Sequence, residues 1–96
     1  MAGHKHIWKA ISTHPGYEVS ECGEVREVGS DCFLSQHQDK NRLFYVNIGK
    51  DGDEIYRWVH VLVAEAFNGH PMGHKVIHKD GNTYNNRSDN LVWQPS

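Results

Sequence analysis

Apolar residues change their spacing once along this 96-residue chain, at Val59, and that change limits the architectures open to it. Val59, Leu62, Val63, Ala66 and Phe67 fall at helical spacing and make one apolar face. Asn68-Gly69 supplies the usual stop signal, and Pro71 follows close behind. Upstream the pattern alternates instead. Tyr17-Glu18-Val19-Ser20 and Glu24-Val25-Arg26-Glu27-Val28, separated by Cys22-Gly23, read as a β-hairpin. Leu43 to Ile48 and Glu54 to Val59 read as a second. Its turn is Lys50-Asp51-Gly52, where Asp-Gly favours a tight connection with positive φ. Between the hairpins, residues 29 to 42 predict a loop with a short strand around Phe33-Leu34. Ile7 to Ile11 is too short to assign, and His14-Pro15-Gly16 punctuates the chain after it. Beyond Gly73, two further strands at about 75 to 78 and 90 to 93 flank an Asn-rich loop. No repeat, low-complexity tract or long linker divides the chain. The expectation is an α+β fold in a single domain over residues 1–96, built from small antiparallel β-hairpins with one short helix.

Bulk properties narrow the setting. A chain of this length buries only about two-thirds of the surface its unfolded form exposes, so its stability is modest unless a partner contributes. Its hydrophobic share of 38%, with three Trp, four Tyr and three Phe, suits a folded globule. No apolar run approaches the roughly twenty residues a membrane helix needs, so no membrane partner is expected. The polar start, Met1 to His6, does not resemble a secretory signal. Cys22 and Cys32 are the only cysteines; they form no Cys-x-x-Cys pair, which excludes a zinc ribbon and fits a reduced cytosol. Neither has a histidine or basic cluster nearby in sequence to activate a thiolate. Ten Lys and Arg against twelve Asp and Glu leave a net charge of −2, without the basic excess typical of proteins that bind phosphates nonspecifically. A local basic face is still open to Lys5, Lys9, Arg42, Lys50, Arg57, Lys75, Lys79 and Arg87.

The chemistry concentrates near the end of the chain. Val76-Ile77-His78-Lys79-Asp80-Gly81-Asn82 is followed by Asn85-Asn86 and by Asn90-Leu91-Val92-Trp93. This stretch resembles the core of the phage-type HNH homing endonucleases. Val59-His60-Val61-Leu62-Val63-Ala64-Glu65-Ala66-Phe67 is similar to the helix that precedes the active site in that family. Trp8-Lys9-Ala10-Ile11, Tyr17-Glu18-Val19-Ser20 and Gly23-Glu24-Val25-Arg26 resemble the NUMOD4 motif that accompanies such nucleases. The resemblance implies a NUMOD4-like β region over about 7–58 and an HNH-like region over about 59–96. It further implies a truncated ββα-metal (His-Me finger) motif, because the chain ends three residues after Trp93, before the motif's last helix.

Phosphodiester hydrolysis needs a base to activate water and a cation to absorb charge on the leaving oxygen. By the resemblance, His78 is the general base, since a neutral imidazole can take a proton from water. Asn86 is the middle asparagine that orients the loop, with Asn82 and Asn85 as alternatives. Asp80, Gly81, Asn82 and Asn85 support the loop, because short amide and carboxylate side chains bond to nearby backbone. Lys75, Lys79, Arg87, Arg57 and Tyr45 are the candidate contacts to DNA or a partner.

Three departures weaken phosphate handling. Relatives place Asp or Asn just before the base, where this chain has Ile77. The second metal ligand of the family lies on the helix that is not encoded here. Val61 stands where relatives carry Arg. Magnesium takes one or two protein carboxylates plus substrate oxygens. That leaves Asp80, His74 or the substrate phosphate as improvised ligands, and the metal set is unassigned.

Simpler roles are expected for other residues. His74 and His78 lie four apart on a strand, too far apart for one tetrahedral ion. His60 is expected as a buried, hydrogen-bonded residue at the helix start, and Trp8, Trp58 and Trp93 as core aromatics.

Three functions follow. The first is a DNA-binding HNH relative with impaired or lost hydrolysis. The second is an active endonuclease or nickase, using Mg or Mn, completed by dimerisation or a partner chain. The third is a phage anti-defence protein, of anti-CRISPR type, that binds a host protein through a degenerate scaffold. All three imply a phage protein in the bacterial cytoplasm.

Overall fold

Nine residues of helix sit at the centre of the molecule, and three small sheets gather around them. The computed structural model describes residues 7–11, 14–30, 32–49, 52, 54–69 and 74–95. Helix α1 spans Val59–Phe67, as the spacing predicts, and buries Val59, His60, Leu62, Val63 and Ala64. Asn68 closes it with an N–H bond to the Ala64 carbonyl, 2.8 Å, and Gly69 at φ 81° turns the chain away.

The first sheet has the order β1-β2-β3, with β1 at Trp8–Ile11, β2 at His14–Ser20 and β3 at Val25–Glu27. The predicted hairpin is present as β2 and β3. Trp8–Ile11, too short to assign from sequence, pairs with β2. Alternation places Tyr17, Val19 and Val25 on the inward face, and Val19 lies opposite Val25. Ser20 is buried because its hydroxyl oxygen accepts from the Cys22 and Glu24 amides, 3.2 and 3.0 Å, and so shapes the turn between β2 and β3.

In the second sheet β5 (Phe44–Asn47) lies between β4 (His37–Gln38) and β6 (Tyr56–Trp58). Both hairpin strands are shorter than predicted, and Val59, expected at the end of the second, belongs to the helix. Gly52 sits at φ 89°, while Lys50 and Asp51 of the predicted turn lie outside the described residues. The strand expected around Phe33-Leu34 is a correction: Phe33 makes a single bridge to Arg26, and β4 supplies the third strand instead.

The third sheet pairs β7 (His74–His78) with β8 (Leu91–Pro95), in register from His74↔Pro95 to His78↔Leu91. An apolar cluster joins the helix to all three sheets, drawing Ile11, Val19 and Val25 from the first sheet, Val46 from the second, Leu91 from β8 and Leu62 and Val63 from α1. The expected α+β class with small antiparallel strands and one helix is what the chain adopts. No helix among the described residues is long and apolar enough to cross a membrane.

Candidate active site

His78 ends β7, and the loop from Lys79 to Asn90 returns the chain to β8 beside it. Gly81 at φ 74° makes the reversal, donating its N–H to the His78 carbonyl, 3.0 Å. Asp80 then anchors the loop. Its Oδ1 accepts from the Asn82 amide, 2.8 Å, and from Asn90 Nδ2, 2.9 Å, while its Oδ2 accepts from Asn85 Nδ2, 3.1 Å. These donors, the Asn82 amide first, hold the Asp80 carboxyl below the usual carboxylate range. Asn82 Oδ1 in turn accepts from the Tyr84 amide, 3.0 Å, and the Tyr84 ring meets Phe44 edge-on. Asp80, Gly81, Asn82 and Asn85 are thus brought together in one loop.

Asn86 is buried and sets its Oδ1 2.7 Å from His78 Nε2. An amide oxygen only accepts, so Nε2 is the donor of this contact, and in the neutral ring the lone pair is on Nδ1. The first sheet braces this contact from behind. A Cβ on Gly23, which has φ 92°, would lie 3.0 Å from Asn86 Cβ. The Ser88 amide also donates to the Glu21 carbonyl, 2.8 Å. The N-terminal block is therefore in direct contact with the loop that holds His78.

Sequence reasoning missed the loop's hub, Asn90. This buried side chain donates from Nδ2 to Asp80 Oδ1 and to the Asn85 carbonyl, 2.9 Å each, and accepts from the Asp80 amide, 3.3 Å. Its backbone carbonyl accepts from Lys79, 2.7 Å. The signal was its place at the head of the apolar Asn-Leu-x-Trp segment. Asn68 was missed as well: beyond ending the helix, its Nδ2 donates to the Ser88 and Leu91 carbonyls, 2.9 and 3.0 Å.

His60 corrects an expectation. It is buried, but its Nδ1 has no hydrogen-bond partner. Its ring centroid lies 5.2 Å from that of His78 and 5.9 Å from that of Trp58. Burial, and then the neighbouring His78, push its pKa down to about 4, so it is neutral at pH 7. Trp58 is 47% exposed and so is not a core aromatic; its indole N–H donates to Asp39 Oδ2, 3.1 Å.

The candidate contact residues divide into groups. Lys75 and Lys79 are exposed on either side of His78 in sequence. Lys79 lines a shallow depression of about 620 Å³ together with His74, Asp89 and Trp93. Arg87 is exposed and pairs with Asp89 at 3.5 Å. Tyr45 and Arg57 lie apart from these, in a hollow of about 500 Å³ with Tyr56, Trp58 and Val61. Arg57 is half-buried there and paired with Glu65 at 3.1 Å. Of the wider basic face, Lys9 lies over the Phe67 ring at 4.9 Å, and Lys5 and Lys50 are outside the described residues.

A divalent cation fits these residues poorly. Ile77 stands before His78 and faces Val92 across the strands. Both Asp80 carboxylate oxygens accept hydrogen bonds within the loop, two at Oδ1 and one at Oδ2, which turns the side chain to loop support and leaves little of it to offer a cation. His74 lies four residues along the same strand, roughly 13 Å away. Among the described residues no three His, Cys, Asp or Glu side chains gather to hold a metal.

Comparison with known proteins agrees with the motif and the fold. Residues 57–96 match the model of an HNH endonuclease family. That segment is of the HNH endonuclease family. It is 40% identical over 88 residues to the DNA endonuclease I-HmuI of Bacillus phage SP01, covering 90% of this chain and 51% of that protein. It is 32% identical over 88 residues to the H-N-H endonuclease F-TflII of Escherichia phage T5, covering 88% of this chain and 46% of that protein. An uncharacterized HNH endonuclease, L245, of Acanthamoeba polyphaga mimivirus is 36% identical over 87 residues, covering 90% of this chain and 26% of that protein. A solved structure of the HNH homing endonuclease I-HmuI, concerned with its DNA binding and cleavage, superposes with a TM-score of 0.83 at 38% identity. It covers 93% of this chain and 52% of the solved one. The chain thus spans about half the length of these phage relatives.

Proposed function

We propose that this chain is a DNA-binding, homing-endonuclease-like HNH protein whose general base is in place and whose own metal-dependent hydrolysis is impaired. The observation that carries this reading is the contrast between two neighbours in sequence. His78 is held through Nε2 by Asn86, with Nδ1 left to accept a proton from water. Ile77, beside it, offers no oxygen to a cation, and Asp80 is committed to the loop. Exposed Lys75 and Lys79 flank the base and supply cations for phosphate contact despite the net charge of −2. The phage relatives, I-HmuI among them, support DNA as the partner and a phage origin.

A second reading draws on the same ordered His78. The base is suited to cleavage once a further chain, or a second copy, supplies oxygen ligands. Plasmid nicking with Mg²⁺ or Mn²⁺ separates the two. The first reading expects DNA binding without cleavage that depends on His78. Robust nicking by the chain alone, abolished in His78→Ala, refutes it.

A further inference from the structure

His78 is gripped from a second direction. At its edge Nε2 meets Asn86 Oδ1 at 2.7 Å. The His60 ring packs against it with centroids 5.2 Å apart and planes tilted by 38°. Behind His60 stands Trp58, 5.9 Å away at 36°. Trp58 is itself tied by its indole N–H to Asp39 Oδ2, 3.1 Å, and Asp39 Oδ1 accepts from the Asn41 and Leu43 amides. His60 has little room to move, being 7% exposed in the first turn of α1 between buried Val59 and Leu62. Its Nδ1 is sealed from solvent without a partner, so that nitrogen is not placed to exchange protons with a substrate. What His60 offers its neighbour is the ring itself.

We propose that His60 is a positioning residue for His78, a fixed planar wedge that keeps the imidazole in the orientation where Nε2–H meets Asn86 and Nδ1 is open. The proposal rests on reading His78 as the general base. One edge hydrogen bond restrains a single ring atom, and the second side-chain torsion of histidine is otherwise broad. A face contact restricts the rotation that the edge bond leaves free. His60 does this uncharged, because burial, and then the His78 ring beside it, disfavour its protonated form, so it adds no second positive charge when His78 takes a proton.

The test is ¹⁵N NMR of the histidine rings in the intact chain, which reports the His78 tautomer directly. The wild type is expected to show one His78 form, with hydrogen on Nε2. His60→Phe, which keeps the planar ring, retains that signal. His60→Leu, which keeps apolar bulk alone, gives averaged tautomers while the amide spectrum stays that of the folded chain. If wild-type nicking is measurable, it falls roughly 10²-fold in His60→Leu, the scale of a small misplacement of a reacting group. In His60→Phe it recovers to within a few-fold. An unchanged His78 signal in folded His60→Leu overturns the proposal, as does equal averaging in His60→Phe. Should His60→Leu unfold, Trp58→Ala removes the backing at a half-exposed position and is expected to average the His78 signals. Sharp, unchanged signals there overturn it equally. A wild type that never cuts DNA bears only on hydrolysis, since the tautomer is read without turnover.

Discussion

Replacing Asn90 with alanine is the most informative perturbation of the loop that carries the candidate base. The side chain makes three hydrogen bonds: two from Nδ2, at 2.9 Å each to Asp80 Oδ1 and the Asn85 carbonyl, and one accepted at Oδ1 from the Asp80 amide, 3.3 Å. Each well-formed bond contributes about 1 kcal/mol net, and the long one about half that. Asp80 is exposed, so its charge adds little to its share. The loss is then about 2–3 kcal/mol, which for a chain of this size lowers the melting temperature by roughly 10–20 °C. Asn90→Asp is expected to be worse than alanine at pH 7. It loses both Nδ2 donations and sets a carboxylate against Asp80, and the gap to alanine narrows as the pH falls and the carboxylates protonate. Asn82→Ala is the control, since its exposed amide accepts only from Tyr84 and its loss amounts to about 0.5–1 kcal/mol. Circular-dichroism melts of the three variants decide the matter. An Asn90→Ala melt within 2 °C of wild type, or below which Asn82→Ala falls, refutes the hub assignment.

Three further outcomes are expected. His60, with its pKa pushed down to about 4, lies below the value of about 6.5 it has when unfolded. The unfolded chain therefore binds the extra proton, and stability is lost as the pH falls from about 6.5 to about 4, by up to roughly 3 kcal/mol. His60→Phe should flatten urea-measured stability across that window, and an unaltered slope contradicts the assignment. Gly23→Ala places a methyl 3.0 Å from Asn86 Cβ at φ 92°, and should destabilise by about 2–3 kcal/mol while disturbing the His78 ring signals. Normal stability and an unchanged His78 spectrum would show the brace to be dispensable. Asn86→Ala should release the His78 tautomer, seen as averaged ring nitrogens, with a stability loss of about 1–3 kcal/mol from the buried pair; a single persistent tautomer argues against the 2.7 Å contact.

Periodicity made part of this fold legible and geometry hid the rest. The helix at Val59–Phe67 and the pairing of Val19 with Val25 follow from spacing, because each buries one face against the same core. His37–Gln38 gave no such signal: both residues are exposed, and their strand is defined by hydrogen bonds to β5. Phe33-Leu34 misled for the opposite reason, since Phe33 makes a single bridge and a ring contact with Trp8 while Leu34 packs on the core without a strand ladder. In the site, the motif located His78 and its asparagine-rich loop. It favoured Asn86 but left Asn82 and Asn85 as alternatives and passed over Asn90, because the same amide serves as turn-former, clamp or hub according to what the fold sets beside it. The contact of His60 with His78 joins residues eighteen positions apart on different elements, and no local pattern encodes it.

The most direct test of the central claim, an ordered base without a cation site of its own, is a Mn²⁺ titration followed by line broadening in the NMR spectrum. The account predicts weak, non-saturating broadening spread over exposed carboxylates, with no preference for Val76 to Asp80. Saturable broadening centred on His78 at low micromolar Mn²⁺ would contradict it.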